Sequence, residues 1–256
     1  MNILGIDIGG TETKIICTTA LWKKRGLALT IKTPKTKRSF LKVLSRAVKS
    51  FLMESSVAGI GIGAPGIVDP KRGILMHVPN LPFLNRWNIK RFFRKFKVPI
   101  KIDNDSRCFL RAEAIAGAGK GKKYIAVLTI GTGIGGGLLM DGKVYFGKHS
   151  GAGEFGHMVV NQGKTLEQLA GKKALLKYGD RSEIIGIGIA NIVNGFDPEI
   201  VILGGGSAYK KKLNFQKIKN TARKYILSPS SKKTPIVVGK IGEYAGAFGG
   251  ALLFRK

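Results

Sequence analysis

Near its start the sequence reads Asp7-Ile8-Gly9-Gly10-Thr11-Glu12-Thr13-Lys14. Apolar residues alternate before this glycine turn, from Asn2 to Asp7, and a β-rich run resumes after it, from Thr13 to Thr19. The pattern predicts a strand, a glycine turn and a second strand. The same plan recurs later in the chain, where an apolar strand at Tyr124 to Ile130 leads into another glycine-rich turn. A duplicated plan suggests two similar lobes that face one cleft.

Outside these two cycles, helical and strand-like segments alternate, which is typical of an α/β architecture. The further predicted strands are Gly26 to Lys32, Val57 to Ala64, Val98 to Ile102, Gly136 to Met140, Lys143 to Phe146, Ile200 to Leu203 and Ile236 to Val238. The predicted helices are Phe40 to Met53, Asn88 to Lys97, Arg181 to Asn194, Lys211 to Tyr225 and Tyr244 to Phe254. Between them, Val78 to Trp87 is expected to be a loop, and Asp141-Gly142 is a two-residue hairpin signal.

This alternation places the boundary between the lobes near the middle of the chain. We expect an N-terminal lobe over residues 1–115 and a C-terminal lobe over residues 116–243. The stretch Ala114 to Lys123, rich in glycine and lysine, is the best connection between them. We also expect the closing helix, residues 244–256, to pack back on the N-terminal lobe.

The composition fits a folded globular protein and excludes several other classes. The chain has 256 residues, of which 44% are hydrophobic, so it can build a substantial core and is not disordered overall. Its two cysteines, Cys17 and Cys108, provide neither a disulfide framework nor a multi-cysteine metal site. Because the sequence shows neither a leader-like stretch nor a run of about 18 apolar residues, we expect a cytoplasmic protein without a membrane partner.

The charge balance is strongly basic. Lysine and arginine total 44 against 15 acidic residues, which gives a net charge of +29. Such a charge predicts attraction to polyanions such as nucleotides, nucleic acid or inorganic polyphosphate. A proteome that is basic throughout is the alternative explanation. The lysines are dispersed, which resembles a solvated surface more than one recognition helix, so we expect no specific nucleic-acid partner.

The candidate catalytic stretch is Lys101-Ile102-Asp103-Asn104-Asp105-Ser106. Here an apolar strand breaks into two carboxylates and an amide and then opens a helix. Carboxylates are scarce in this chain, so two of them at such close spacing invite a chemical explanation. Our hypothesis is that Asp105 is a general base. For Asp103, a helix N-cap or turn residue and a direct role are both open.

The two glycine turns are candidate phosphate sites. Glycine lets backbone N–H groups turn toward a phosphate, and Thr11 adds a hydroxyl donor beside Gly9 and Gly10. Asp7, at the strand end, is placed to hold Mg²⁺ through water, although a hairpin with a solvated aspartate is the alternative. The second turn, residues 131–137, holds five glycines in seven residues, more than a hairpin needs. Two such turns could clamp one polyphosphate tail.

Several motifs together resemble one known family. The two turns look like the paired phosphate motifs of the actin-like ATPase fold. More narrowly, Gly63-Ala64-Pro65-Gly66-Ile67-Val68-Asp69, Asn104-Asp105 and Gly153-Glu154-Phe155-Gly156-His157 resemble the ROK family of sugar kinases, repressors and open reading frames. The resemblance runs from Asp7 to the terminal helix. It implies an α/β, two-lobed actin-like ATPase (ribonuclease H-like) fold with a central cleft, and a homodimer as the default.

The resemblance also implies roles for individual residues. Asp105 would take the proton from a sugar hydroxyl as that hydroxyl attacks the terminal phosphate of ATP, with glucose as the foremost acceptor and Mg²⁺ as cofactor. The residues implied to hold sugar hydroxyls are Asn80, Asn104, Glu154, His157 and Glu167. The residues implied to bind phosphate or nucleotide are Asp7, Gly9, Gly10, Thr11, Lys14, Gly131, Thr132, Gly133, Gly204, Gly205 and Gly206. A merely packed histidine is the alternative for His157.

One departure from the family pattern concerns zinc. Many members bind a structural zinc with a histidine like His157 and three closely spaced cysteines after it, but Met158 to Gly171 contains no cysteine. We therefore expect no zinc site here.

Several alternative functions stay open. Inorganic polyphosphate could replace ATP as donor, and an N-acetylhexosamine or fructose could replace glucose as acceptor. From another class come a sugar-responsive regulator and a non-enzymatic polyanion-binding protein. The regulator is disfavoured because Asp7 lies close to the start and leaves no room for a preceding helix-turn-helix domain.

Overall fold

The computed structural model of the protein describes residues 2–18, 25–210 and 213–255. The chain divides into two compact units. Unit 1 comprises Met1–Ala112 and Tyr244–Lys256, and unit 2 comprises Glu113–Glu243. Within the described residues, no helix is long and apolar enough to cross a membrane.

Unit 1 is built on a five-stranded sheet with the strand order β3-β2-β1-β4-β8. Its strands are β1 (Asn2–Ile8), β2 (Glu12–Thr18), β3 (Arg25–Lys32), β4 (Val57–Ala64) and β8 (Ile100–Asn104). Strands β1, β2 and β3 form an antiparallel meander, whereas β4 and β8 run parallel to β1. A small antiparallel sheet of unit 1 consists of β5 (Ile67–Asp69), β6 (Ile74–His77) and β7 (Trp87–Asn88).

The helices of unit 1 are α1 (Lys37–Glu54), α2 (Ile89–Phe93), the start of α3 (Asp105–Ala116) and α9 (Ala245–Ala251), with 3₁₀ turns at Pro82–Leu84, Arg94–Phe96 and Leu252–Phe254. Helix α1 begins after Thr36, whose hydroxyl accepts the amide of Ser39. Its apolar residues recur at helical spacing, so Phe40, Leu44 and Phe51 fall on one buried face.

The terminal helix α9 packs directly on strands β1 and β4 of unit 1. Glycines make this approach possible, because a β-carbon at Gly5 would overlap the carbonyl of Ala247 and one at Gly61 would overlap the carbonyl of Gly250. The small residues of the strands and of the helix therefore belong to one contact.

Unit 2 repeats the same sheet plan, with the order β11-β10-β9-β14-β15. Its strands are β9 (Ile125–Ile130), β10 (Ile134–Met140), β11 (Lys143–Tyr145), β14 (Ile200–Gly204) and β15 (Ile236–Val238), with a separate pair β12 (Val159–Asn161) and β13 (Lys164–Thr165). Its helices are α4 (Leu166–Ala170), α5 (Lys172–Tyr178), α6 (Ser182–Phe196), α7 (Gly206–Tyr209) and α8 (Phe215–Tyr225), with 3₁₀ turns at Phe155–His157 and Ser231–Lys233. As in unit 1, the first three strands are antiparallel and the last two run parallel to the first, so the predicted duplication is present.

Some predicted boundaries were wrong. The strand expected at Val98 to Ile102 is Ile100–Asn104, because it pairs in parallel with β4 as far as Ala64. The loop expected over Val78 to Trp87 contains a 3₁₀ turn and ends on β7. Helix α3 continues to Ala116 and so enters the stretch expected to connect the lobes.

The remaining differences are small. Lys211 and Lys212 of the expected helix lie outside the described residues, and α8 starts at Phe215 after the cap residue Asn214. The predicted hairpin at Asp141-Gly142 is confirmed, with both residues at positive φ.

Candidate functional site

The carboxyl ends of three parallel strands meet at one edge of the unit 1 sheet. Asp7 of β1 is in register with Gly63 of β4, and Gly63 is in register with Asp103 of β8. Asn104 ends β8 and Asp105 begins α3. The sequence separates Asp7 from Asp105 by most of the unit, and the parallel pairing brings them to the same edge.

Asp105 is held at the first position of α3. Its Oδ1 accepts the backbone amide of Ser106 at 2.7 Å and lies 3.3 Å from the Ser106 hydroxyl. A β-carbon on Gly63 would stand 3.4 Å from the Cα of Asp105 and 3.3 Å from Cys108, so the glycine lets the start of α3 lie close against β4. A carboxylate at a helix N-terminus also suits the helix dipole.

Asp7 has an altered acidity. Burial and the negative charge of Asp105 raise the pKa of Asp7, and the positive charge of Lys14 lowers it. The net result is a rise from 3.8 to about 7. Lys14 is the cross-strand partner of Asp7 and also lies 3.8 Å from Glu12. The negative charge of Asp105 is therefore close enough to disfavour the ionised form of Asp7.

Asp103 has a structural role that the sequence left open. It is buried, and its carboxylate pairs with Nε of Arg107 at 2.7 Å and with Arg111 at 2.5 Å. It also accepts the amide of Asn104. The carboxylate of Asp103 therefore binds two guanidinium groups and a backbone amide of the protein itself. Neither arginine was predicted, although their spacing of four and eight residues after Asp103 is the available signal.

Asn104 and Asn80 differ in their surroundings. The amide nitrogen of buried Asn104 donates to the carbonyl of Gly66 at 3.0 Å, and its oxygen accepts the amide of Arg107. Asn104 thus fixes the turn after β4 to the start of α3. Asn80 lies in an exposed turn between Val78 and Leu81. Their contacts with a sugar stay predictions.

The first glycine turn is held from outside by two side chains. The amide of Gly9 donates to the carbonyl of Glu12 at 3.0 Å. The hydroxyl of Thr33 donates to the carbonyl of Gly9, and Nζ of Lys35 donates to that of Gly10, each at 2.8 Å. The carbonyls of Gly9 and Gly10 therefore already accept hydrogen bonds from protein side chains. The polar residues that follow β3 were missed by the sequence reasoning, since no local motif marks them.

The second glycine turn lies beside the turn of Gly204 to Gly206 in unit 2. Strands β9 and β14 are parallel neighbours, with Gly204 in register with Thr129. Gly205, at φ +83°, would place a β-carbon 2.6 Å from the carbonyl oxygen of Ile130. The carbonyl of Thr132 accepts the amide of Lys172, the first residue of α5, at 3.3 Å. Two predicted nucleotide-binding turns thus meet at one sheet edge.

Gly131 and Gly206 differ from the other glycines of these turns. A β-carbon at either position would meet no atom within 4 Å among the described residues, and neither residue has a positive φ. Packing and backbone conformation therefore do not require glycine at these two positions. Close approach of a ligand to the backbone is one physical reason for glycine at such a position.

The acids and the histidine expected to bind sugar in unit 2 gather around the start of β10. Oε2 of Glu167 accepts the amide of Ile134 at 2.6 Å. Gly156 packs on the carbonyl of Ile134, which brings in the 3₁₀ turn that carries His157. Nδ1 of His157 lies 3.7 Å from Oε2 of Glu154, with both side chains partly exposed. The Glu167 carboxylate and the His157–Glu154 pair are thus placed together, and their contacts with a sugar stay predictions.

The metal-ligating side chains are dispersed. Cys17 and Cys108 are buried in unit 1, and burial raises the pKa of both thiols. Among the residues that the structure describes, no group of three or more histidine, cysteine, aspartate or glutamate side chains could hold a metal ion.

Comparison with known proteins supports the resemblance read from the motifs. The ROK family model matches residues 3–176 and 162–256. A glucokinase of Halalkalibacterium halodurans is 27% identical in an alignment that covers 99% of this chain and 94% of that protein.

Solved structures share the fold over nearly the whole chain. A ROK family glucokinase from Streptomyces griseus, in complex with glucose and AMPPNP, has a TM-score of 0.89 at 24% identity and covers 99% of both chains. An inorganic polyphosphate/ATP-glucomannokinase from Arthrobacter sp. strain KM has a TM-score of 0.82 at 26% identity and covers 98% of this chain and 97% of that one. The predicted α/β fold of the actin-like ATPase type is confirmed.

Proposed function

The chain belongs to the ROK family, and we propose that it is a sugar kinase that transfers the terminal phosphate of ATP to a hexose hydroxyl. Glucose is the proposed acceptor and glucose 6-phosphate the product. The observation that carries this proposal is the approach of Asp105 to Asp7 at the strand edge that also bears the first glycine turn. A carboxylate and a phosphate-binding turn are the two parts that phosphoryl transfer to a hydroxyl requires.

Asp105 is the proposed general base. As the sugar oxygen forms its bond to the terminal phosphorus, the bond from phosphorus to the leaving ADP oxygen breaks and the hydroxyl proton passes to the Asp105 carboxylate. Its position at the start of α3, fixed through the amide of Ser106, supports this role because a base must be held still to orient a nucleophile. The two arginine partners of Asp103 support the choice of Asp105 rather than Asp103 as the base.

The sugar contacts are assigned to residues of known local geometry. We assign Asn104, Glu154, His157 and Glu167 to the hydroxyl groups, with Asn80 as a further contact. Glu167 suits this role because the amide of Ile134 fixes one of its oxygens, and fixed acceptors are what select among hydroxyl patterns. Nδ1 of His157 lies 3.7 Å from Oε2 of Glu154, which supports assigning the two side chains to the same sugar.

The phosphate groups are assigned to the glycine turns. Gly9, Gly10, Thr11 and Lys14 serve from unit 1, and Gly131, Thr132 and Gly133 serve from unit 2, with Gly204 to Gly206 on the adenosine side. The open space at the β-carbon positions of Gly131 and Gly206, where packing does not require glycine, supports this assignment.

Magnesium fits the carboxylate that the structure leaves poorly ionised. Asp7 would hold Mg²⁺ through water, since a nearby cation favours the ionised form that burial and Asp105 disfavour. When bound with ATP, Mg²⁺ neutralises phosphate charge. Zinc has no part in the proposal, and a homodimer stays a prediction.

Inorganic polyphosphate is the second candidate donor. The net charge of +29 favours it, since a polyanion is attracted to such a surface. A protein of similar fold, the inorganic polyphosphate/ATP-glucomannokinase from Arthrobacter sp. strain KM, carries both donors in its name.

A coupled assay that crosses ATP and polyphosphate with a panel of hexoses and N-acetylhexosamines at saturating Mg²⁺ tests the proposal. We expect turnover with glucose and ATP. Asp105→Asn should remove nearly all turnover and leave glucose affinity largely intact, whereas Asp141→Asn, in an exposed hairpin turn, should change neither. Absence of phosphorylation with every pair would contradict the kinase, and a normal kcat for Asp105→Asn would place the base elsewhere.

A further inference from the structure

Arg181 is a buried cation in unit 2 without an acidic partner in the part of the chain that the structure describes. Its side chain is only 2% exposed. NH1 donates to the carbonyl of Ala170 at 2.6 Å and NH2 to the hydroxyl of Ser207 at 2.7 Å, while Nε meets no acceptor within residues 2–18, 25–210 and 213–255. Among the described residues, no carboxylate lies within ion-pair distance of the guanidinium, and burial alone lowers the pKa of Arg181. The neighbouring Asp180 pairs instead with Lys217.

This arrangement costs free energy as it stands. A guanidinium remains charged in proteins, and burial of a charge is unfavourable unless an opposite charge compensates it. Arg107 shows the contrast within the same chain, since it is equally buried and pairs with Asp103 at 2.7 Å. The uncompensated charge of Arg181 therefore indicates that the functional protein binds an anionic ligand near it.

The two groups that Arg181 holds flank the predicted nucleotide turns. Ser207 follows Gly206 directly in α7. Ala170 ends α4, and two residues later Lys172 donates its amide to the carbonyl of Thr132 in the second glycine turn. One guanidinium thus ties the base of the adenosine-side turn to the segment that supports the phosphate-side turn.

We propose that Arg181 is a positioning residue for the nucleotide. It holds both turns in place, and its buried charge is balanced by the phosphate groups of the bound nucleotide. This inference rests on the proposed function, because it takes the glycine turns of unit 2 as the nucleotide site. It predicts that the influence of Arg181 grows with the number of phosphates on the ligand, which a purely structural brace would not produce.

The experiment measures binding without turnover. Calorimetric titrations with adenosine, AMP, ADP and ATP are run on the wild type and on Arg181→Met, Arg181→Lys and Ser207→Ala. Arg223→Met is the control, because Arg223 is an exposed arginine of α8 in the same unit and its loss changes the net charge equally. Far-ultraviolet circular dichroism and glucose affinity verify that each variant is folded.

For Arg181→Met we expect adenosine affinity to change less than about twofold and ATP affinity to fall about tenfold, with ADP between them. Arg181→Lys should recover part of the ATP affinity, because it keeps the charge but loses the two-point contact. Ser207→Ala keeps the charge and loosens one contact, so a loss of a few fold for ADP and ATP is expected. It keeps the test decisive if Arg181→Met does not fold.

Three results would overturn the inference, and they differ in whether the kinase proposal survives. If the wild type binds ATP and the Arg181 and Ser207 variants weaken adenosine and ATP equally, or weaken neither, Arg181 is only a brace or is irrelevant, and the kinase proposal stands. If the wild type binds no nucleotide, both the inference and ATP as donor fail. An equal loss with Arg223→Met would assign the effect to net charge.

Discussion

Replacing Asp7 by asparagine should stabilise the protein at alkaline pH. Burial and the charge of Asp105 raise the pKa of Asp7 to about 7. In the unfolded chain the carboxyl ionises near its ordinary value of 3.8, so between these two values the folded state holds a proton that the unfolded state has released. Stability therefore falls as pH rises through this window. Asparagine resembles the protonated carboxyl and cannot ionise, so it removes the penalty.

The size of the effect follows from the shift. A rise from 3.8 to about 7 corresponds to about 4 kcal/mol when both states are fully titrated. About 3 kcal/mol of this develops between pH 5 and pH 8.5. Because Asp7 is only half-buried and solvent screens its interactions, we expect the stability gain of Asp7→Asn to increase by about 1.5–3 kcal/mol over that interval.

The measurement is urea unfolding followed by circular dichroism at pH 5 and pH 8.5, without sugar or nucleotide. Glu54→Gln is the matched control, since Glu54 is an exposed acid of α1 in the same unit and should show no such pH-dependent gain. Under the proposed function Asp7→Asn should also lower turnover. A stability difference that is the same at both pH values, or a variant less stable than the wild type at pH 8.5, would refute the reasoning.

Three further predictions use the geometry of unit 2. Glu113→Gln should lower the free energy of unfolding by about 2–4 kcal/mol, because the buried carboxylate accepts hydrogen bonds from three backbone amides. Denaturant unfolding at pH 7 tests this, and an unchanged midpoint would contradict it. Gly205→Ala should lower the free energy of unfolding by about 2–4 kcal/mol, since it combines a positive φ with a clash at Ile130. Gly206→Ala should leave stability unchanged and weaken ATP binding. Equal melting temperatures for the two variants would be evidence against this difference. Glu167→Gln keeps an oxygen acceptor for the amide of Ile134, so the variant should fold normally. It should raise the KM for glucose at least about tenfold. Steady-state kinetics check this, and an unchanged KM would remove Glu167 from the sugar site.

The sequence predicted the parts that depend on local patterns. Glycine turns after strands, helical spacing in α1 and the duplicated plan are all visible without any contact. What it could not supply is pairing across the fold. Asp103 shows this, because its partners Arg107 and Arg111 are ordinary basic residues of a basic chain until the helix brings them to one carboxylate. The strand boundary at Asn104 was missed for the same reason, since only the register with β4 extends β8 that far.

The state of the predicted site residues was equally out of reach. The sequence placed Asp7 at a strand end but gave no sign of its raised pKa, which requires Asp105 to stand at the same edge. It gave no sign of Arg181 either, because nothing in Asp180-Arg181-Ser182 distinguishes a buried arginine from an exposed one. Burial and the absence of a carboxylate among its described neighbours are properties of packing, and they are what mark this residue.

The two units share a sheet plan but differ at the strand ends, and under the proposed function this difference would divide the chemistry between them. In unit 1, Asp7 and Asp103 lie one residue before the ends of the parallel strands β1 and β8, and Asp105 follows β8, whereas in unit 2 the equivalent strands β9 and β15 end on Ile130 and Val238. A chain of net charge +29 attracts anions over much of its surface, so attraction alone cannot choose where a reaction occurs. Carboxylates near a phosphate oppose its binding unless a proton or a metal ion offsets them. In the proposed kinase the carboxylates of unit 1 would therefore serve where a proton must be removed, and the turns of unit 2, which Arg181 ties together, are proposed to bind the nucleotide.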